Sequence, residues 1–136
     1  MKYLLDTNVC VDFLNASYPS VVERIRRASP GDLCLSSVVA AELRYGAEKS
    51  ARKEQNHARI DVLTAEIECA EFDLEAARTF GRVRTVLEAK GTPIGPYDTM
   101  IAAHALCLGL VLVTDNVDEF RKVEHLEVEN WRRPDT

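Results

Sequence analysis

Four acidic positions carry the chemistry that this chain offers. Asp6 ends the apolar run Tyr3-Leu4-Leu5 and is followed directly by Thr7-Asn8. Glu42 lies in Ser36-Ser37-Val38-Val39-Ala40-Ala41-Glu42-Leu43, Asp98 in Gly95-Pro96-Tyr97-Asp98, and Asp115-Asn116 follow Leu110-Val111-Leu112-Val113-Thr114. In an open α/β sheet, ligands gather at the carboxyl ends of the strands, so a carboxylate there is a candidate metal ligand. Four converging carboxylates repel one another strongly, and such a cluster makes sense only around a cation. A hard divalent cation such as Mg2+ takes oxygen ligands, using one or two carboxylates directly and leaving room for water and a substrate phosphate. The chemistry that follows is metal-assisted phosphodiester hydrolysis, with the cation positioning the phosphate and lowering the pKa of the attacking water. A carboxylate outside the metal shell can serve as general base.

Each acid also has an ordinary use. Asp6 and Asp98 can cap the helices that follow them, and with 22 acidic residues in the chain any single one is usually a solvated charge. Joint placement at strand ends and helix starts is what favours a site.

The elements that must position these residues are legible from periodicity and punctuation. Strands are expected at 2–5, 33–35, 69–72, 110–113 and 126–129. Helices are expected at 7–14, 20–28, from Ser36 or Ser37 through Tyr45, at 51–66, from a cap at Asp73 through Leu87, at 98–108 and at 117–123. The segment Gly91-Thr92-Pro93-Ile94-Gly95-Pro96 cannot be helix interior, and Gly109 is a C-terminal stop. Strands alternating with helices imply an α/β fold with a parallel sheet and helices on both faces. Right-handed crossovers bring the ends of the first and fourth strands to one rim.

At 136 residues the chain is read as a single domain, 1–136, long enough to bury a core. Its composition, 46% hydrophobic and 29% charged, is that of a soluble globular protein. No apolar stretch approaches the roughly 20 residues of a membrane span, and the N-terminus does not read as a signal peptide. Cys10, Cys34, Cys69 and Cys107 lack CxxC spacing and read as reduced core residues of a cytoplasmic protein. The net charge of −5 argues only weakly against a nucleic-acid partner. With the four site acids set aside the chain is close to neutral, and basic clusters around Arg24-Arg27, Arg44-Lys53 and Arg82-Arg84 could contact phosphates. His104 is six residues beyond Asp98, about 600° around a helix, so it does not share the face of Asp98; it reads as a packing or hydrogen-bonded residue. His57 and His125 lie in polar segments and indicate nothing.

The ordered set of segments resembles PIN-domain nucleases, specifically VapC-type toxins of bacterial toxin–antitoxin pairs. The matching stretches are Leu5-Asp6-Thr7-Asn8, Ser36-Ser37-Val38 through Glu42-Leu43 to Tyr45-Gly46-Ala47-Glu48-Lys49-Ser50, Gly95-Pro96-Tyr97-Asp98 with Met100-Ile101-Ala102-Ala103-His104-Ala105, and Leu112-Val113-Thr114-Asp115-Asn116 with Glu119-Phe120 and the tail Leu126-Glu127-Val128-Glu129-Asn130-Trp131. The resemblance spans essentially the whole chain. It implies a PIN-like three-layer sandwich, a five-stranded parallel sheet between helices. It also implies a Mg2+-dependent endoribonuclease in which Mn2+ can substitute.

By the same resemblance, Asp6 and Asp98 are the principal metal ligands and Glu42 the third acidic residue, with Thr7, Thr114 and Asp115 in support. Many PIN domains carry an acid two residues after the position of Thr114. Here that residue is Asn116, which can bind through its amide oxygen or a water; Asp115 is one residue early, and Glu119 can supply the missing charge. The family further implies a cognate antitoxin whose C-terminal segment wraps the toxin and inserts a basic side chain, a homodimer or toxin–antitoxin hetero-oligomer, and a structured RNA cut at an exposed loop. The Gly-Pro-Tyr-Asp branch looks like those that cut the anticodon region of initiator tRNA.

Two other classes compete. An aspartate-nucleophile phosphatase normally carries a second aspartate two residues after the first, where this chain has Asn8. A non-catalytic partner-binding module or a receiver domain is the other; a receiver would want a lysine near the last strands, and no well-placed one is present.

Overall fold

The computed structural model describes residues 1–133. Five short strands form one wholly parallel sheet in the order β3-β2-β1-β4-β5. They are β1 (Tyr3–Leu5), β2 (Leu33–Ser36), β3 (Glu68–Ala70), β4 (Val111–Val113) and β5 (Val128–Glu129). The helices are α1 (Thr7–Asn15), α2 (Pro19–Arg27), α3 (Ser37–Glu48), α4 (Lys53–Glu66), α5 (Leu74–Ala89), α6 (Pro96–Leu108) and α7 (Val117–Phe120). The α/β class and the five-stranded parallel sheet are as the sequence implies.

The central strands are apolar throughout because both of their faces are covered. Leu4, Leu5, Leu33, Cys34, Leu35, Leu112 and Val113 are all buried and belong to one core with Val9, Val39, Ile101, Ala102 and Phe120. The chain builds from β1 outward to β3, then returns to the other side of β1 for β4. The crevice between β1 and β4 is therefore the topological switch point, where ligands of such sheets bind. β1 and β4 are in register, Leu5 facing Val113, so Asp6 and Thr114 leave the sheet side by side.

Some boundaries differ from the sequence expectation. α6 begins at Pro96 rather than Asp98, with Gly95 in the capping position, so Asp98 is inside the first turn and is not the cap. Proline is tolerated there because its missing N–H would have no helical partner. Gly109 ends α6 in the left-handed conformation (φ 68°), as a C-terminal glycine does. Ser36 is the last residue of β2 and also caps α3, its hydroxyl accepting from the Val38 amide at 3.1 Å. β3 is displaced to Glu68–Ala70 because its ladder extends only against Cys34–Ser36. β5 is limited to two residues because Leu112 and Val113 are its only ladder partners, and α7 stops at Phe120.

Cys10 and Cys34 are buried, whereas Cys69 and Cys107 are exposed, contrary to the core expectation. Cys69 lies on an edge strand, and Cys107 on the outer side of the last turn of α6. No helix among the described residues is long and apolar enough to cross a membrane.

Candidate active site

The site is assembled from Asp6 and Thr114, which directly follow β1 and β4, and from acids that α3, α6 and α7 bring to the same rim. Asp6 is 5% exposed and caps α1. Its Oδ1 accepts from the Thr7 amide at 2.8 Å and its Oδ2 from the Thr114 hydroxyl at 2.7 Å. Both bonds favour the carboxylate form, but burial outweighs them and raises the Asp6 pKa, with Glu42 and Asp115 adding like-charge repulsion.

Glu42, half-buried on α3, is fixed by the Thr7 hydroxyl, which donates to Oε1 at 2.7 Å. Asp98 approaches from the first turn of α6 and meets Glu119 of α7. Burial is the main cause that pushes its pKa up to about 7, followed by the hydrogen bond with Glu119 and the charges of Asp6, Glu119 and Glu42. A carboxyl–carboxyl hydrogen bond requires a shared proton. A raised pKa at Asp98 is what crowded carboxylates produce, and a bound cation would relieve the same repulsion. Asn116 donates its amide to Glu119 Oε2 at 2.5 Å, and its backbone amide donates to the Thr114 hydroxyl at 3.1 Å.

Asp6, Glu42, Asp98, Asn116 and Glu119 thus come to one rim with Thr7 and Thr114 beneath them. Asp115 is turned aside. Its Oδ1 accepts from the Asn8 amide at 3.2 Å and its Oδ2 pairs with Arg132 at 3.2 Å. Asn8 presents an amide donor where a phosphatase of the aspartate-nucleophile class would need an acid.

His104 is 1% exposed. Its Nδ1 is 2.8 Å from the Ser36 hydroxyl, and its ring packs edge-on against Phe72 with centroids 5.4 Å apart. Burial lowers its pKa, so it sits neutral in the core, away from the acidic rim.

Sequence reasoning missed Asp12 and Arg132. Asp12 is 4% exposed and accepts from Arg132 Nε at 2.7 Å and Nη2 at 3.1 Å. The available signal was a carboxylate three residues after Val9, on the buried stripe of an amphipathic helix.

The donor set is all oxygen, which suits a hard divalent cation. Among the described residues no three His, Cys, Asp or Glu side chains stand as a ready-made cage, in keeping with carboxylates that hydrogen-bond to one another and to threonines. A groove of about 250 Å³ runs from Thr7 and Glu42 between α1, α3 and α4, past Leu14, Leu43 and Ile60. Another cavity, about 450 Å³ between α5, the end of α6 and residues 122–125, is lined by none of these acids.

The model of the PIN domain matches residues 3–126 of this chain. The chain belongs to the PIN-domain family. Within the family its relatives are of the VapC type. It is 42% identical over 131 residues to the tRNA(fMet)-specific endonuclease VapC of Shigella flexneri, covering 96% of this chain and 98% of that protein. It is 40% identical over 134 residues to ribonuclease VapC2 of Rickettsia felis, with the same coverage. Among solved structures, this PIN domain resembles the DNA-bound VapBC of Salmonella typhimurium, with a TM-score of 0.91 at 40% identity over 96% of this chain and 98% of that one. It also resembles VapBC-1 of nontypeable Haemophilus influenzae, with a TM-score of 0.88 at 34% identity over 98% of this chain and all of that one. PIN-domain ribonucleases are in general dependent on a divalent metal, and the oxygen donors of this rim fit one.

Proposed function

We propose that this PIN domain is the toxin endoribonuclease of a type II toxin–antitoxin pair, and that it cuts structured RNA at an exposed loop in a Mg2+-dependent reaction. The observation that carries the metal-dependent chemistry is the gathering of acids at the switch point of the sheet: buried Asp6 held by Thr114, Glu42 held by Thr7 and Glu119 held by Asn116, with Asp98 close enough to feel the charges of all three. Asp6 and Asp98 are the principal ligands, with Glu42 and the Asn116 amide oxygen completing the set; Mn2+ can replace Mg2+. When bound, the cation orients the scissile phosphate, offsets its charge and makes the attacking water more acidic. Thr114 and Thr7 hold Asp6 and Glu42 in place. Glu119, which reaches Asp98 from α7, is the carboxylate that accepts the water's proton.

An exposed loop suits this rim, because a single strand can bend its phosphate toward recessed carboxylates. The relationship to a tRNA(fMet)-specific endonuclease favours the anticodon region of initiator tRNA as the target, with the protein acting in the cytoplasm. The cognate antitoxin is expected to lay an apolar segment along the groove of α1, α3 and α4 and to direct a basic side chain at Glu42 and Asp6. A homodimer, or a hetero-oligomer with antitoxin, would place two such sites along a shared groove.

The test is cleavage of total tRNA and mRNA by purified, antitoxin-free protein, with Mg2+, with chelator, and with Asp6→Asn, mapping the new ends by sequencing. Discrete cuts that need metal and vanish in the variant are expected. A folded protein that makes no cuts would overturn the proposal.

A further inference from the structure

Arg132, near the far end of the described chain, reaches the acidic rim through an ion pair. Its guanidinium forms a fork on Asp12, whose side chain is only 6% exposed. The third nitrogen, Nη1, reaches Asp115 Oδ2 at 3.2 Å. The guanidinium carbon also lies over the Tyr18 ring, 4.4 Å from its centroid. The backbone around it is pinned as well. The Ser20 hydroxyl lies 2.8 Å from the Trp131 carbonyl and 2.9 Å from that of Arg132, and Trp131 is 2% exposed. Arg132 is therefore held on several sides, and all three of its guanidinium nitrogens are committed to carboxylates.

Asp115 follows Thr114, whose hydroxyl binds Asp6, and its charge is felt at Asp6. Of the acids around the rim it is the one tied to a fixed cation. We propose that Arg132 decides which carboxylates bind the metal, by holding Asp115 away from it. The inference rests on the metal-dependent reading above. Arg132 is a positioning residue: it acts through Asp115 and touches neither metal nor RNA.

The reason to exclude a carboxylate lies in the charge of the cation. Mg2+ at a phosphoryl-transfer site usually keeps one or two direct carboxylates, here Asp6 and Asp98 with Glu42 at the edge of the set, so that waters and a substrate phosphate fill the remaining positions. A further carboxylate binds the cation more tightly. It also takes a coordination position from the phosphate and reduces the positive charge left to stabilise it. Freeing Asp115 should then strengthen metal binding and weaken catalysis together, a combination that simple loosening of the fold does not produce.

The test uses the full-length protein and Mn2+ alone as the binding probe. Asp12→Asn/Arg132→Gln removes one negative and one positive charge, leaves no buried carboxylate unpaired and takes the cation off Asp115, which keeps only the Asn8 amide. Mn2+ affinity by calorimetry is expected to rise about 10-fold, while cleavage of an RNA stem-loop at saturating Mn2+ falls about 10-fold, the scale on which residues around a metal's ligands act. Adding Asp115→Asn should return both to within about threefold of wild type. Arg132→Lys keeps Asp12 paired but loses the planar fork; it should shift both quantities the same way by a smaller factor, and it covers the case in which the double variant does not fold. Wild-type values in the folded variants, or an activity loss that Asp115→Asn does not restore, would overturn the role of Arg132 and leave the metal reading standing. Wild-type protein that binds no Mn2+ would overturn both.

Discussion

The Thr114 hydroxyl donates to Asp6 Oδ2 at 2.7 Å, joining the ends of β4 and β1 at the crevice where the sheet reverses its build order. The Thr114 hydroxyl oxygen in turn accepts from the Asn116 backbone amide at 3.1 Å, so one buried threonine orients the carboxylate after β1 and the loop after β4. Thr114→Val keeps the shape and removes both bonds. Loss of a group that orients a metal ligand typically costs about 10- to 100-fold in metal affinity, and that range is expected in a Mn2+ titration. Thermal unfolding should show a cost of about 1 kcal/mol per lost hydrogen bond. An unchanged affinity would remove Thr114 from the site.

Asp98 gives the metal-free protein a pH dependence with a definite sign. Its folded pKa is about 7, above its ordinary value of 3.8. The raised folded value means that the native state holds a proton the unfolded chain releases. Stability from this group is complete below pH 4 and is lost as pH rises through 7. In chelator, the melting temperature should therefore fall between pH 5 and 8. Asp98→Asn should flatten that slope and stabilise the metal-free protein at pH 8 by on the order of 1–2 kcal/mol, after allowance for solvent screening of a half-buried group. A slope that survives in the variant would show that another group carries it.

The acids of the rim were legible because three of them sit at punctuation marks. Asp6 ends an apolar run, Asp98 follows Gly-Pro, and Asp115-Asn116 close the most apolar strand. What the sequence could not show is how three neighbouring candidates divide their work. Asp115, Asn116 and Glu119 lie within five residues, and spacing alone leaves each open. The division depends on Arg132, which is 17 residues further on and meets Asp115 only because β5 runs beside β4. Strand ends were misplaced where short ladders run out of partners, as for β3 and β5. Asp98 as a helix cap was misread because the helix starts earlier, at a proline that a first turn tolerates.

Asp98→Asn also tests catalysis, since Asn keeps the size and one oxygen but cannot share a proton with Glu119 as a carboxyl does. RNA cleavage in Mg2+ is expected to fall by more than about 100-fold, the scale on which a positioned catalytic carboxylate is felt. The protein should remain folded by circular dichroism. A folded variant that cuts at the wild-type rate would mean that Asp98 is no ligand.

His104 provides the opposite control. It lies in the core on Ser36, whose hydroxyl also caps α3, and burial lowers its pKa below the ordinary 6.5. A depressed histidine contributes stability that is present above pH 6.5 and is lost as pH falls through its folded value, because the unfolded chain takes up the proton first. This slope runs against that of Asp98. In chelator, His104→Gln should therefore remove a loss of stability on the acid side of pH 6.5, while Asp98→Asn removes one on the alkaline side of pH 5. At pH 7.5, His104→Gln should cost about 1 kcal/mol for an imperfect replacement of one buried hydrogen bond. RNA cleavage should change far less than in Asp6→Asn, because the imidazole does not reach the acidic rim. An activity loss equal to that of Asp6→Asn, in protein that melts like wild type, would place His104 in the chemistry and overturn its assignment to the core.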